Sequence, residues 1–146
     1  KNKTKNPQEE FKKYSKAFLV KMNSVSDFYN IIIARGNMHK QISESMNIKA
    51  DDYNYFAESH KEEYLLKYNS GEEKNFYPEG LNLRKEKFSF IVFEFEALIK
   101  TAVRLKVNFP TNMYYDYCAA NSSLLGVKLA IEEIEKINKS QEFEEN

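Results

Sequence analysis

Apolar residues recur at steps of three and four along most of this chain, the spacing of one face of an α-helix. Phe11, Tyr14, Phe18, Met22, Val25, Tyr29 and Ile32 make the first such stripe. Pro7 suits an opening turn, and Glu9 and Glu10 suit the positive end of a helix dipole. Gly36-Asn37 interrupts the phase, and Met38, Ile42 and Met46 restart it on a rotated face. The pattern predicts a kink or split near Gly36 and a helical continuation to about Ser45.

A second helix is predicted to open at Ala50-Asp51-Asp52, with Tyr53, Phe56, Ala57, His60, Tyr64 and Tyr68 on one face. Asn69-Ser70-Gly71 is its stop signal. Residues 69–82 read as one irregular loop broken by Pro78 and Gly80, with Phe76 and Tyr77 folding back as a lid over the bundle end. The third helix is predicted from about Leu83 to Val107, with Phe88, Ile91, Val92, Phe95, Leu98, Ile99, Ala102 and Leu105 inward. Phe88-Ser89-Phe90 and Phe93-Glu94-Phe95-Glu96 alternate as a strand would, but the helical series outlasts any ordinary strand.

Asn108-Phe109-Pro110 is a connector and Thr111 an expected N-cap. The last helix is predicted to run to about Asn138 on Met113, Tyr117, Ala120, Leu124, Val127, Ile131 and Ile134. A parallel line of small residues, Ala119, Ser122, Ser123, Gly126 and Ala130, permits a neighbouring helix to approach closely. The expected fold is all-α, an antiparallel bundle of four main helices. Residues 1–6 form a polar tether, 7–138 the single helical domain, and 139–146 a frayed acidic tail.

Composition narrows the classes. The 146 residues suit one domain, and the formal net charge is zero, which argues against a dedicated nucleic-acid binder. Residues 1–40 nevertheless hold nine Lys/Arg against three Asp/Glu, so the first helix is a basic amphipathic surface. The longest apolar runs, 31–34 and 90–93, are far below the roughly 18 residues of a membrane span. The chain opens on Lys1 and a polar lead. Such a start favours a processed, exported chain, periplasmic or tethered to the envelope by a leader or lipid-attachment point upstream, over a cytoplasmic one. A domain cut from a longer protein predicts the same start.

Motifs that carry chemistry do not assemble. The four glycines are scattered, so no phosphate-cradling loop forms, and no cofactor is predicted. Position 36 before His39 is Gly and position 57 before His60 is Ala, where a di-iron bundle needs Glu. No metal site is predicted, and Cys118 is read as inert packing. His39 lies among polar residues; His60 lies on an apolar stripe, with Glu63 one turn on as its expected ion-pair partner.

Three functional classes follow. The first is a non-enzymatic binding protein of inhibitor, immunity or accessory type, acting on another protein. Its contact patch is Phe90, Phe93 and Ala97 beside Lys100 and Arg104, with Phe76 and Tyr77 able to cover or extend it. The second is a carrier of a small apolar or lipid ligand, with Tyr29, His60, Phe88, Phe95 and Tyr117 lining the space between helices. The third is an enzyme using His60 with a carboxylate such as Glu63.

Overall fold

A computed structural model describes residues 6–71 and 78–145. The described chain is all-α. Five helices follow one another: α1 Pro7–Asn23, α2 Ser26–Met46, α3 Tyr53–Ser70, α4 Pro78–Leu105 and α5 Thr111–Glu145. No helix among the described residues is long and apolar enough to cross a membrane. Successive helices alternate in direction. Tyr14 meets Arg104 while Lys21 meets Glu94, so α1 and α4 run oppositely. Arg35 reaches Tyr64 and Ser123, tying α2 to α3 and α5. The longest helix, α5, packs against α2, α3 and α4, whereas α1 lies mainly along α4.

Local chemistry explains the starts and stops. The Asn6 side chain accepts from the Gln8 N–H at 3.0 Å, one of the four donors an α-helix leaves open at its beginning. Asp52 does the same for Tyr55 N–H at 3.3 Å at the head of α3. That helix ends on Gly71 at φ 67, the left-handed turn that glycine adopts without a Cβ penalty. At the end of α4 the left-handed position is Lys106, at φ 58. There Val107 N–H donates to Ala102 O at 3.0 Å and Lys106 N–H to Val103 O at 3.1 Å, the paired bonds of a Schellman cap.

The break in the first predicted helix falls elsewhere than expected. It lies at Ser24-Val25, and α2 passes through Gly36 without interruption. Ser24 Oγ donates to Lys21 O at 2.6 Å while its own N–H donates to the same carbonyl, so the helix closes on itself. Val25 turns the chain at φ −129 and keeps its side chain buried. Gly36 has a different use. A Cβ built there would collide with Asp116 of α5, so α2 and α5 touch almost backbone to side chain. Gly126 of α5 is matched to α3: a Cβ there would lie 2.8 Å from His60 Cβ and 3.0 Å from Ala57 O. The line of small residues is therefore buried, with Ala119, Ser122, Ser123 and Ala130 closed to solvent.

Two further boundaries differ. Pro78 opens α4 instead of breaking a loop, since a proline at the first helical position loses no hydrogen bond. Residues 69–70 and 78–82 of the expected loop are therefore helical, and Phe76 and Tyr77 lie outside the described residues. At the other end, α5 continues past Asn138 to Glu145. Its first turn is preceded by Pro110, whose carbonyl accepts from Tyr114 N–H at 3.0 Å, so Thr111 is inside the helix and not its cap. The segment with strand-like alternation is helical: Phe88, Ile91, Val92 and Phe95 are buried on one side of α4.

Two substitutions read these constraints in opposite directions. Lys106→Gly relieves a left-handed non-glycine residue and is expected to raise unfolding free energy by about 1 kcal/mol in urea titration. Gly126→Ala is expected to lower it by roughly 1–3 kcal/mol, because α3 must move to admit the methyl group.

Candidate functional site

Among the described residues, a buried polar layer where α2, α3 and α5 meet and an exposed face along α4 depart from a simple apolar-in, polar-out pattern.

The polar layer starts from one face of α2. Ile32, Arg35, Gly36 and His39 are all buried there. Arg35 is only 9% exposed. Its Nη1 donates to Ser123 Oγ at 2.8 Å and to Tyr64 OH at 3.0 Å, and its guanidinium lies over the Tyr64 and Phe88 rings at 5.5 and 6.0 Å. One turn further on, His39 stacks on Phe56 at 3.8 Å between ring centres, and His60 lies parallel to it at 6.0 Å. The hydroxyls of Ser43 and Ser122 are buried as well. Beside the layer, Arg35 and Tyr64 form part of the wall of a cleft of about 400 Å³, with Ile31, Ala34, Glu63, Lys67 and Arg84.

This layer sets the charge states. Burial, then the Arg35 charge, holds His39 down to about 4. Burial, Arg35 and His39 together hold His60 down to about 3. Both imidazoles are neutral across the physiological range, and far from the value near 7 that a general base needs. The expected His60–Glu63 pair does not form. Glu63 lies at the surface and meets Lys67 at 3.9 Å, while His60 turns inward. Asp116, pressed against Gly36, is pushed up to about 7 by burial. Burial also raises the Cys118 thiol to about 11, despite hydrogen bonds from Tyr114 and Tyr53, so a thiolate nucleophile is disfavoured there. Among the described residues no group of three or more metal-ligating side chains converges.

The ligand-lining candidates divide. Tyr29, Phe95 and Tyr117 come together: Phe95 lies 6.4 Å from Tyr29, 6.0 Å from Tyr117 and 4.6 Å from Phe18 between ring centres. Phe88 packs edge-on to Phe28 at 6.1 Å. His60 stands apart from them, in the polar layer with His39 and Phe56.

The contact-patch candidates divide as well. Phe93 is 66% exposed, and Ala97, Lys100 and Arg104 are exposed on the same side of α4. Phe90 is half-buried and packs on the core. Arg104 lies 5.7 Å from the Tyr14 ring, which joins α1 to this face. Between the two helices runs a shallow groove of about 110 Å³ with Ala17, Ala97 and Thr101 in its wall.

Sequence reasoning passed over Arg35 and placed His39 among polar residues, away from the core. Their signal was the spacing Ile32, Arg35, Gly36, His39, which is a helical stripe with two ionisable members.

The polar layer makes stability depend on pH in two opposing ways. The imidazoles bind protons in the unfolded chain below 6.5 but not in the fold, so their contribution is full above 6.5 and is lost as pH falls towards 4 and 3. Asp116 keeps its proton in the fold, so its contribution is full below 3.8 and is lost as pH rises through about 7. From these groups the stability maximum is expected near neutral pH, with a loss of about 1 kcal/mol per pH unit on the acid side. Asp116→Asn is expected to gain on the wild type progressively between about pH 4 and 7 in urea titrations, and by a constant amount above that. A gain independent of pH would mean that Asp116 is not held protonated. Compared with protein-family models, with curated protein sequences and with solved structures, the chain matched none.

Proposed function

We propose that this chain is a non-enzymatic helical binding protein that acts through protein–protein contact, and that the outer face of α4, flanked by α1, is its contact surface. The observation that carries this is Phe93. A phenylalanine 66% exposed in the middle of a long, well-packed helix leaves most of a large apolar ring in water. Val103 on α4 and Val20 on α1 are likewise exposed, at 72% and 68%.

The chemistry of the surroundings selects the partner. Lys100 and Arg104 are exposed beside Phe93, and α1 adds exposed Lys12, Lys13 and Lys16. Exposed Glu9, Glu86 and Glu96 share this surface, but basic side chains outnumber them, so the α1–α4 pair offers apolar anchors on a mixed, mainly basic surface, which suits an acidic protein surface carrying an apolar pocket or residue. Arg104 is already oriented by the Tyr14 ring, so less freedom is lost when it is engaged. A rigid helix face of this kind suits steric blocking of another protein, the mode of an inhibitor or immunity-type protein.

The test compares three forms of the chain as bait in quantitative crosslinking and capture. Phe93→Asp is expected to keep the wild-type circular dichroism and unfolding midpoint, because the ring is outside the core. It is expected to lose an acidic partner that the wild type retains, by at least about tenfold. Leu66→Asp, at a 71% exposed position on α3, is the control and is expected to retain that partner. Equal capture by the Phe93 variant, or unfolding on that substitution, would contradict the proposal.

A further inference from the structure

His39 of α2 and His60 of α3 are enclosed as a pair on the seam between their helices. They are 0% and 5% exposed, and their rings lie parallel within 9° at 6.0 Å between centres. His39 also stacks on Phe56 of α3. Among the described residues neither nitrogen of His39 has a hydrogen-bond partner, and Nε2 of His60 has none. A neutral ring tolerates such a place far better than an imidazolium, which brings a second N–H donor and a charge.

The groups around the seam give a protonated ring no counter-charge. On α2, the charge of Arg35 acts against a proton on either ring, and His39 acts against one on His60. Lys40 of α2 reaches Asn112 of α5 at 3.5 Å. On α3, Lys61 and Glu58 meet each other at 3.2 Å, and burial helps Tyr53 keep its proton. On α5, burial keeps the proton on the Cys118 thiol, and on Asp116 up to about 7. In acid Asp116 is therefore a neutral neighbour and not an anion. A first imidazolium forms beside a like charge, and a second beside two.

The seam can open without dismantling the bundle. α3 meets α2 through the His39, Phe56 and His60 rings and the Arg35–Tyr64 hydrogen bond. α2 has other anchors: Phe28 against Phe88 and Tyr29 against Phe95, both on α4, and its own packing on α5. Beyond His39, the connector to α3 begins on Asn47, in the left-handed region at φ 55. We propose that the imidazole pair is an acid-operated latch: with both rings neutral it holds α3 against α2, and with both protonated it parts them while α2 stays packed on α4 and α5.

The latch has its own proton count. Opening returns both rings to their ordinary value of 6.5 from about 4 and about 3, so two protons are taken up. The open population then rises by up to about a hundredfold per unit of pH between about 6 and 4.5. Complete unfolding also exposes Asp116, which releases a proton over most of that range. Its net uptake is nearer one, and its population rises about tenfold per unit.

The experiment is amide hydrogen exchange of the whole chain from pH 7 to 4.5, corrected for intrinsic exchange, comparing residues 56–64 of α3 with 88–102 of α4. Opening constants in α3 are expected to approach a hundredfold rise per pH unit, against about tenfold or less in α4. His39→Gln and His60→Gln each remove one proton and are expected to cut the α3 rise to about tenfold per unit. The wild-type comparison of α3 with α4 does not depend on either variant folding. Equal pH slopes in the two helices, α3 protection unchanged down to pH 4.5, or the full α3 slope retained in a folded variant would each overturn the proposal.

Discussion

The bundle depends on how closely α5 is approached by α2 and α3. Glycine on each side of that junction removes the atom that would hold the helices apart: Gly36 of α2 beneath Asp116, and Gly126 of α5 beneath His60. Ala119, Ser122 and Ser123 continue the narrow strip. Close approach has a chemical consequence. Residues that would reach solvent across a wider gap are instead enclosed, and Arg35, His39 and His60 become interior groups. Each then takes the state that burial permits. The guanidinium is held by hydroxyls and rings, while the imidazoles stay neutral.

The other half of the molecule is built differently. Where α1 and α4 meet α5 and the start of α2, large rings fill the interior: Phe18, Tyr29, Phe95 and Tyr117 contact one another in tilted and edge-on pairs. That side needs no close backbone approach, and its packing leaves α4 covered on its inner side only. The same helix thus carries Phe95 at 0% exposure and Phe93 at 66%. One helix contributes both to the rigid core and to the proposed contact face, so the face is presented on a frame that does not have to order itself on binding. The Arg35 cleft lies at the polar junction and shares no residue with that face.

Much of the architecture was legible in the pattern of apolar residues. The α3 stop at Gly71, the connector before α5 and the inward stripe of α4 all follow from local chemistry that one sequence displays. Gly36 was misread because a glycine in a helical pattern has two meanings, a break or a close neighbour, and only the partner helix distinguishes them. The real break, at Ser24-Val25, keeps the stripe in phase through a buried Val25, so periodicity could not reveal it. Pro78 was misread for a related reason, since the same residue ends one segment and opens the next. His39 was placed among its polar sequence neighbours Asn37, Lys40 and Gln41, although its helical phase belongs to Ile32 and Arg35. The exposure of Phe93 and the half-burial of Phe90 depend on where α1 lies, which no spacing within α4 encodes.

The chain has only two histidines, and both lie in the enclosed layer. Their titration followed by nuclear magnetic resonance is the most direct test of the close junction among α2, α3 and α5. If the junction is closed, neither imidazole takes up a proton in the folded protein between pH 7 and 5.5, and each keeps the chemical shifts of the neutral ring. A titration of either ring near its ordinary value of 6.5, with the helices intact, would mean that water reaches the layer and that the helices do not meet as described.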